Sequence, residues 1–320
     1  MPNSHDHSRA GDDHDRDEGH HEHGGAAHVH APASFGRAFA IGIGLNAAFV
    51  VLEVVFGVAS NSVALLSDAG HNLSDVLGLG VAWGALILAK RQPTSRFTYG
   101  LGGSSILAAL SNAAFLLVVV GALSWEAIQR FWQPKPVEGG TVMIVAACGI
   151  VLNGFCAWLF AAGSKADLNV RGAFMHMAAD ALVSLGVVAA AGVIVVTGWQ
   201  WLDPAVSLAV NAVIVWGTWG LLTGSIAMSL NAVPAGIETA EVEAYLKSLP
   251  GVLEVHDLHI WPMSTTETAL TVHLVHPSGL DDDLLQSAAS ELERRFKIRH
   301  ATIQMESGAH ECKLAPAHVV

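Results

Sequence analysis

From residue 35 the chain alternates long apolar runs with short polar gaps. Six runs, at roughly 38–59, 63–89, 105–129, 141–163, 173–198 and 204–227, are each long enough to cross a hydrocarbon core of about 30 Å, and they predict six transmembrane helices. Residues 1–34 are polar, low in complexity and rich in His, Asp and Gly; they read as a disordered tail and lack the apolar core of a signal peptide. After about residue 235 the pattern shortens. Glu238 to Leu249 reads as a helix ended by Pro250-Gly251, Val252 to Met263 and Glu267 to His276 as strands joined by a polar turn, and His300 to Glu306 as a third strand. Between the second and third strands, Asp281 to Phe296 reads as a helix, with acids at its start and Arg294, Arg295 and Lys297 at its end, as the helix dipole favours. That order predicts a small α+β domain over residues 235–308, followed by a flexible tail at 309–320. Residues 35–234 form the membrane part.

Two of the apolar runs carry the same polar interruption. In the second, Ser67-Asp68-Ala69-Gly70-His71-Asn72-Leu73-Ser74-Asp75 places His71 and Asp75 four residues apart, on one face of a helix. In the fifth, His176-Met-Ala-Ala-Asp180 repeats the spacing, and both are followed by a Leu-Gly-Val triplet, Leu79 to Val81 and Leu185 to Val187. This is an internal repeat with ionisable residues in mid-span, a common plan for secondary transporters. Ionisable groups are costly in a bilayer, and those that persist line a pathway or pair with one another. Two imidazoles and two carboxylates make a four-coordinate N/O set suited to Zn²⁺, with Cd²⁺ and Co²⁺ as alternatives, whereas an all-carboxylate set would favour harder ions. Coordination requires deprotonated ligands, so the same set can exchange protons for metal. Hydrogen-bonded His/Asp pairs that only pack helices are the bland alternative.

Composition and charge sharpen the class. The chain is 52% hydrophobic and only 14% charged, which marks a membrane protein. The net charge of −12 resides outside the membrane part: residues 1–34 carry seven acids and two bases, 35–234 eight of each, and 235–320 thirteen acids and six bases. Arg37, Lys90, Arg91, Arg96, Lys165 and Arg171 fall on the side of the termini, against Arg130 and Lys135 opposite. By the positive-inside rule both termini are cytoplasmic, and the expected location is the cytoplasmic (inner) membrane. Trp125, Trp132, Trp199 and Trp201 sit where outer interfacial anchors belong. Cys148, Cys156 and Cys312 suggest neither a disulfide framework nor a CxxC clamp. No nucleic-acid partner is expected.

Several segments together resemble the cation diffusion facilitator family, close to its zinc exporters. They are Asn61 to Asp75, Tyr99-Gly100 with Ile106-Leu-Ala-Ala-Leu110, Asn169-Val-Arg-Gly-Ala-Phe174, Asp203-Pro204, and Val255-His-Asp-Leu-His-Ile-Trp261. The resemblance implies a homodimer with six helices per protomer and a cytosolic ferredoxin-like domain. It also implies one tetrahedral transport site, falling on His71, Asp75, His176 and Asp180, and export of a divalent metal against protons. It further implies a regulatory metal on the cytosolic domain, held by His256, His273 and Glu306, with solvated surface residues as the alternative.

Other residues are read individually. Asp68, one turn before His71, is a possible accessory group for metal exit or proton entry, or makes a helix-end hydrogen bond. Glu53 and Asp203 are not read as ligands, and Asp203-Pro204 is read as a helix cap. Asn46, Asn112 and Asn153 are expected to bond between helices. Strand parity puts Thr302, Gln304 and Glu306 on one face, and Ile303 and Met305 on the other, facing the core. His300, about 20 Å from Glu306 along an extended strand, cannot share its ion, while His310 and Cys312 could reach it on the tail. The His/Asp tail of residues 1–34 is read as a loose metal buffer. Lys90 to Gly100 contains no His, so no metal site is expected in that loop. A charge interlock known in some relatives is absent, since Leu101 to Ser105 and Ser229 to Ala232 carry no charge; apolar contacts are expected to join the dimer there. An intramembrane metallohydrolase would need an open coordination position, and HExxH is absent. A metal-sensing receptor would use the cytosolic histidines without moving metal.

Overall fold

The computed structural model describes residues 37–161, 168–310 and 312–314; the tail of residues 1–34, Lys165 and residues 315–320 lie outside the described residues. Six long helices come first: α1 (Arg37–Ala59), α2 (Val63–Ala89), α3 (Ser104–Trp132), α4 (Gly139–Ala161), α5 (Leu168–Thr197) and α6 (Leu202–Ser229). Among the described residues, four stretches, Ser104–Trp132, Gly139–Trp158, Phe174–Thr197 and Leu202–Ser229, are long and apolar enough to cross a membrane, and α1 adds the shorter apolar stretch Ile43–Ala59. Large side chains such as Val118, Val196 and Trp216 face outward, as lipid-facing residues must when nothing polar can be left bare in hydrocarbon.

Helix α2 is central, packed against α1, α3, α5 and α6, while α4 pairs with α5 and α3 with α6. Phe49, Leu65, Val142, Val145, Val187 and Ala191 join α1, α2, α4 and α5. Leu116, Val120, Val210 and Ile214 join α3 to α6. Without a hydrophobic drive between helices in lipid, close backbone approach matters. Gly139 illustrates it: a Cβ there would fall 2.9 Å from the Ala191 carbonyl oxygen of α5.

Polar side chains close the end of the bundle away from the small domain, here called distal. Asp203 accepts from Ser62 Oγ at 2.5 Å and from the Val63 and Ala64 N–H groups at 2.8 and 3.4 Å. It is a helix cap as the sequence suggests, but of α2; its own helix α6 has Trp201 at the N-cap position and no side-chain cap. Arg130 stands 3.8 Å from Asp203, donates to the Asn61 carbonyl and pairs with Glu126, which Lys135 also reaches. The expected interhelical asparagine bonds are partly present. Asn112 Oδ1 lies 3.5 Å from Ser74 Oγ, at the limit of a hydrogen bond, and Asn153 Nδ2 is buried without a partner in the described residues.

The small domain follows as α7 (Thr239–Lys247), β1 (Glu254–Pro262), β2 (Thr268–Val275), α8 (Asp282–Phe296) and β3 (Ile298–Glu306). The sheet order is β1-β2-β3, with β1–β2 antiparallel and β2–β3 parallel across the α8 crossover. Both helices cover one face, where Val242, Leu246, Leu270, Val272, Leu274, Leu292 and Phe296 form the core. Asp281 caps α8 by accepting from Leu284 N–H at 2.9 Å. The third strand starts at Ile298, two residues before its predicted start, because Ile298 pairs with Thr268 and is fully buried. Ile303 packs toward the core as parity predicts, and Gln304 faces out.

A bulge in β1 shapes the open face of the sheet. His256 is opposite His273, but His259 is opposite Thr271, so β1 contains one extra residue, and Asp257 there has φ 52°. The bulge resets the alternation, letting Val255 and Ile260, five apart, both enter the core.

Candidate metal centres

Helices α2 and α5 bring the repeated His/Asp pairs together. His71 Nε2 lies 3.3 Å from Asp180 Oδ1 and 3.7 Å from Asp75 Oδ2. His176 Nε2 lies 3.1 Å from Asp75 Oδ2 and 3.6 Å from Asp180 Oδ2. The two rings meet edge to face at 5.8 Å. One donor atom from each of the four residues falls within 4.8 Å of all the others. Both Nε2 atoms point inward, and the buried His71 Nδ1 has no partner in the described residues.

Exposure of the four side chains is uneven. His176 and Asp75 are 29% and 28% exposed, His71 21% and Asp180 only 4%. Since α2 runs toward the small domain and α5 away from it, the exposed pair lies on the small-domain side and the buried pair on the distal side. Beyond the buried pair the helices are sealed by polar contacts: Asp68 Oδ2 accepts from Ser184 Oγ at 3.0 Å, Ser67 bonds Ser207 at 2.7 Å, and Asp203 caps α2. Asp68 therefore bonds α5 rather than a helix end.

A second cluster lies on the open face of the small domain's sheet. His273 Nδ1 is 3.0 Å from Glu306 Oε1, and His256 Nε2 is 3.4 Å from Glu306 Oε2. Cys312 Sγ, from the segment after β3, is 3.5 Å from His273 Nδ1. These four residues also offer donors within 4.8 Å of one another. Burial pushes the Glu306 carboxyl up, but hydrogen bonds from the Cys312 thiol and the Gln304 amide, with His256 and His273 close by, hold it below the usual carboxylate range. Asp257, turned by the bulge, faces His273 Nε2 at 3.4 Å and His259 Nε2 at 2.9 Å. It can thus fix the His273 ring with Nδ1 toward the cluster, the usual carboxylate–histidine arrangement behind a metal ligand. The sequence reading overlooked Asp257, because strand alternation gives no warning of a bulge. His300 stacks edge-on with Tyr99 at 5.4 Å, away from the cluster, and His310 is outside it.

Comparison with known proteins extends these findings. The model of the cation efflux transmembrane domain matches residues 39–228, and that of the cytoplasmic domain of cation efflux proteins matches residues 234–308. The chain is 38% identical over 290 residues to the zinc transporter ZitB of Escherichia coli, covering 88% of this chain and 92% of that protein. It is 36% identical over 297 residues to the cation efflux system protein CzcD of an Alcaligenes strain, covering 92% and 94%. With the cadmium, cobalt and zinc/H(+)-K(+) antiporter of Bacillus subtilis it shares 33% over 289 residues, covering 88% and 93%.

Proposed function

The chain belongs to the cation efflux family, and from that premise we propose that it exports Zn²⁺ from the cytoplasm in exchange for protons. The transport site in this reading is His71, Asp75, His176 and Asp180. One observation carries it: the four cross-helix and same-helix donor separations run from 3.1 to 3.7 Å. A tetrahedral ion with bonds of about 2.0–2.1 Å has ligand–ligand edges of about 3.3 Å, and with one donor atom from each residue within 4.8 Å of the others, the set closes on Zn²⁺ by drawing inward. Cd²⁺ and Co²⁺ remain within reach of the same donors, and the relatives named for cadmium and cobalt keep them as a second reading.

The gradient of exposure supports a route through the site. The small domain lies in the cytoplasm in this reading, and both termini with it. Zinc then enters past Asp75 and His176, loses its water to Asp180 and His71, and leaves distally once the Asp203 and Ser67–Ser207 contacts part. Protons arriving from outside neutralise the carboxylates and charge the imidazoles, and so displace the metal. All four positions are filled by protein, which leaves no open site for a catalytic water and argues against an enzyme. On the small domain, His256, His273 and Glu306 hold a regulatory Zn²⁺ with Cys312 as fourth ligand. The protein works as a homodimer, the form that the family resemblance implies.

The test is zinc flux into reconstituted vesicles under an imposed pH gradient. Gradient-dependent uptake is expected in the intact protein and not in Asp75→Ala or Asp180→Ala. Flux that survives in both variants overturns the assigned site; absence of flux in the intact protein points to a metal sensor.

A further inference from the structure

Just distal to the transport site, two carboxylates meet that the exchange described above does not use. Glu53 of α1 and Asp68 of α2 are 0% and 1% exposed, and Asn72, one turn after Asp68 on the same face of α2, holds Glu53 against that face. Each has one satisfied oxygen: Asn72 Nδ2 donates to Glu53 Oε2 at 2.9 Å, and Ser184 Oγ donates to Asp68 Oδ2 at 3.0 Å. Their other oxygens, Glu53 Oε1 and Asp68 Oδ1, are buried with no donor among the described residues. Two like charges side by side in a dry interior cannot both persist. A single proton resolves both vacancies, making one oxygen a donor and the other its acceptor.

We propose that Glu53 and Asp68 form a proton-binding site, in which Glu53 Oε1 carries one proton and donates it to Asp68 Oδ1, and that this proton is exchanged for metal in every cycle. The proposal rests on the metal/proton exchange reading. Placement supplies the coupling. Asp68 is one turn from His71 on α2, and its partner Ser184 is one turn from Asp180 on α5, so the pair borders the most buried ligands. His71 and Asp180, each one turn away, are the titratable groups of α2 and α5 that border it. Helix α4 carries no acid, base or histidine, and the acids and bases of α3 and α6, Glu126, Arg130 and Asp203, are gathered in the distal cluster. A divalent cation arriving between His71 and Asp180 repels the neighbouring proton and favours two ionised carboxylates. Its departure favours proton return from the distal side.

Glu53→Gln is the informative substitution, since its amide keeps the acceptor for Asn72 and presents a fixed N–H to Asp68. In vesicles, the zinc gradient that just balances an imposed pH gradient gives the protons moved per zinc. Glu53→Gln is expected to lower that ratio by one while still carrying zinc down its own gradient; an unchanged ratio overturns the proposal. A second measurement uses the intact protein in detergent with ¹³C-labelled glutamate carboxyls. A protonated glutamate carbonyl band at neutral pH that disappears on adding Zn²⁺ is expected, and a spectrum lacking it overturns the proposal even if the variant does not fold. Intact protein that moves zinc without any response to the pH gradient would instead overturn the exchange reading on which the proposal stands.

Discussion

Asp203, the second residue of α6, holds the first N–H groups of α2, with Val63 N at 2.8 Å. A helix start buried away from water must find its acceptors within the protein: Ser62 Oγ accepts from Leu65 N–H at 3.1 Å, Asp203 accepts from the two N–H groups at Val63 and Ala64, and Arg130 stands behind the same carboxylate. Asp203→Ala removes the cap and leaves a buried guanidinium short of its counter-charge. A loss of about 1–2 kcal/mol is expected from the cap alone, and Asp203→Asn, which still offers an oxygen, is expected to lose less. Thermal unfolding of the full chain in detergent measures both. An Asp203→Ala melt that coincides with the intact protein's would remove the cap from this account.

Donor chemistry at the proposed transport site sets a prediction about selectivity. Replacing His176 by Asp exchanges one imidazole for a carboxylate and makes the set one nitrogen and three oxygens. Harder divalent ions gain from that change. His176→Asp is expected to lose zinc flux and to gain in the ratio of Mn²⁺ to Zn²⁺ transported, measured in vesicles with each metal alone. An unchanged ratio means that His176 is not a ligand.

The meeting of His71, Asp75, His176 and Asp180 was readable because its logic is local. An i,i+4 spacing fixes a common helix face, and its repetition a hundred residues later names the partner helix. Contacts that depend on the tertiary path were not. Asp203 looks like a cap for its own helix, since the sequence cannot reveal that the start of α2, some 140 residues earlier, lies beside it. The same holds for Asn211, which bonds Ser124 of α3 at 2.9 Å, and for Asn72, which bonds Glu53. Asp257 was hidden by a bulge, where the period of two fails. The α+β order of the small domain was legible because Pro-Gly, charged helix ends and short alternating runs mark each boundary.

Cys312 offers a direct probe of the cluster on the small domain. Its thiol lies against His273 and Glu306, so a metal held there removes it from solution chemistry. With Cys148 and Cys156 replaced by Ser, alkylation of Cys312 in the full chain is expected to slow at least tenfold on adding Zn²⁺. Glu306→Gln is expected to abolish most of that protection. Acidification should abolish it too, because thiol, imidazole and carboxylate must all shed protons to bind. Equal alkylation with and without zinc would remove Cys312 from the ligand set.

The small domain touches the bundle through the tip of its β1–β2 hairpin. Thr265 N–H donates to Ser105 Oγ at 3.0 Å, and a Cβ on Gly102 would come within 3.3 Å of the Met263 carbonyl oxygen. This contact uses backbone groups and small residues on the uncharged stretch Leu101 to Ser105. Its strength depends on close approach, so bulk should break it where loss of one hydroxyl only loosens it. Gly102→Val pushes the Met263 backbone away and takes Thr265 out of reach of Ser105. Amide exchange at residues 263–267 of the full chain is expected to rise strongly in Gly102→Val and modestly in Ser105→Ala, where one hydrogen bond worth about 0.5–1.5 kcal/mol is lost. Zinc binding at His71 and Asp180, far along α2 and α5, is expected to be unchanged in both. Exchange that stays at the intact level in Gly102→Val would mean that the hairpin does not rest on this stretch.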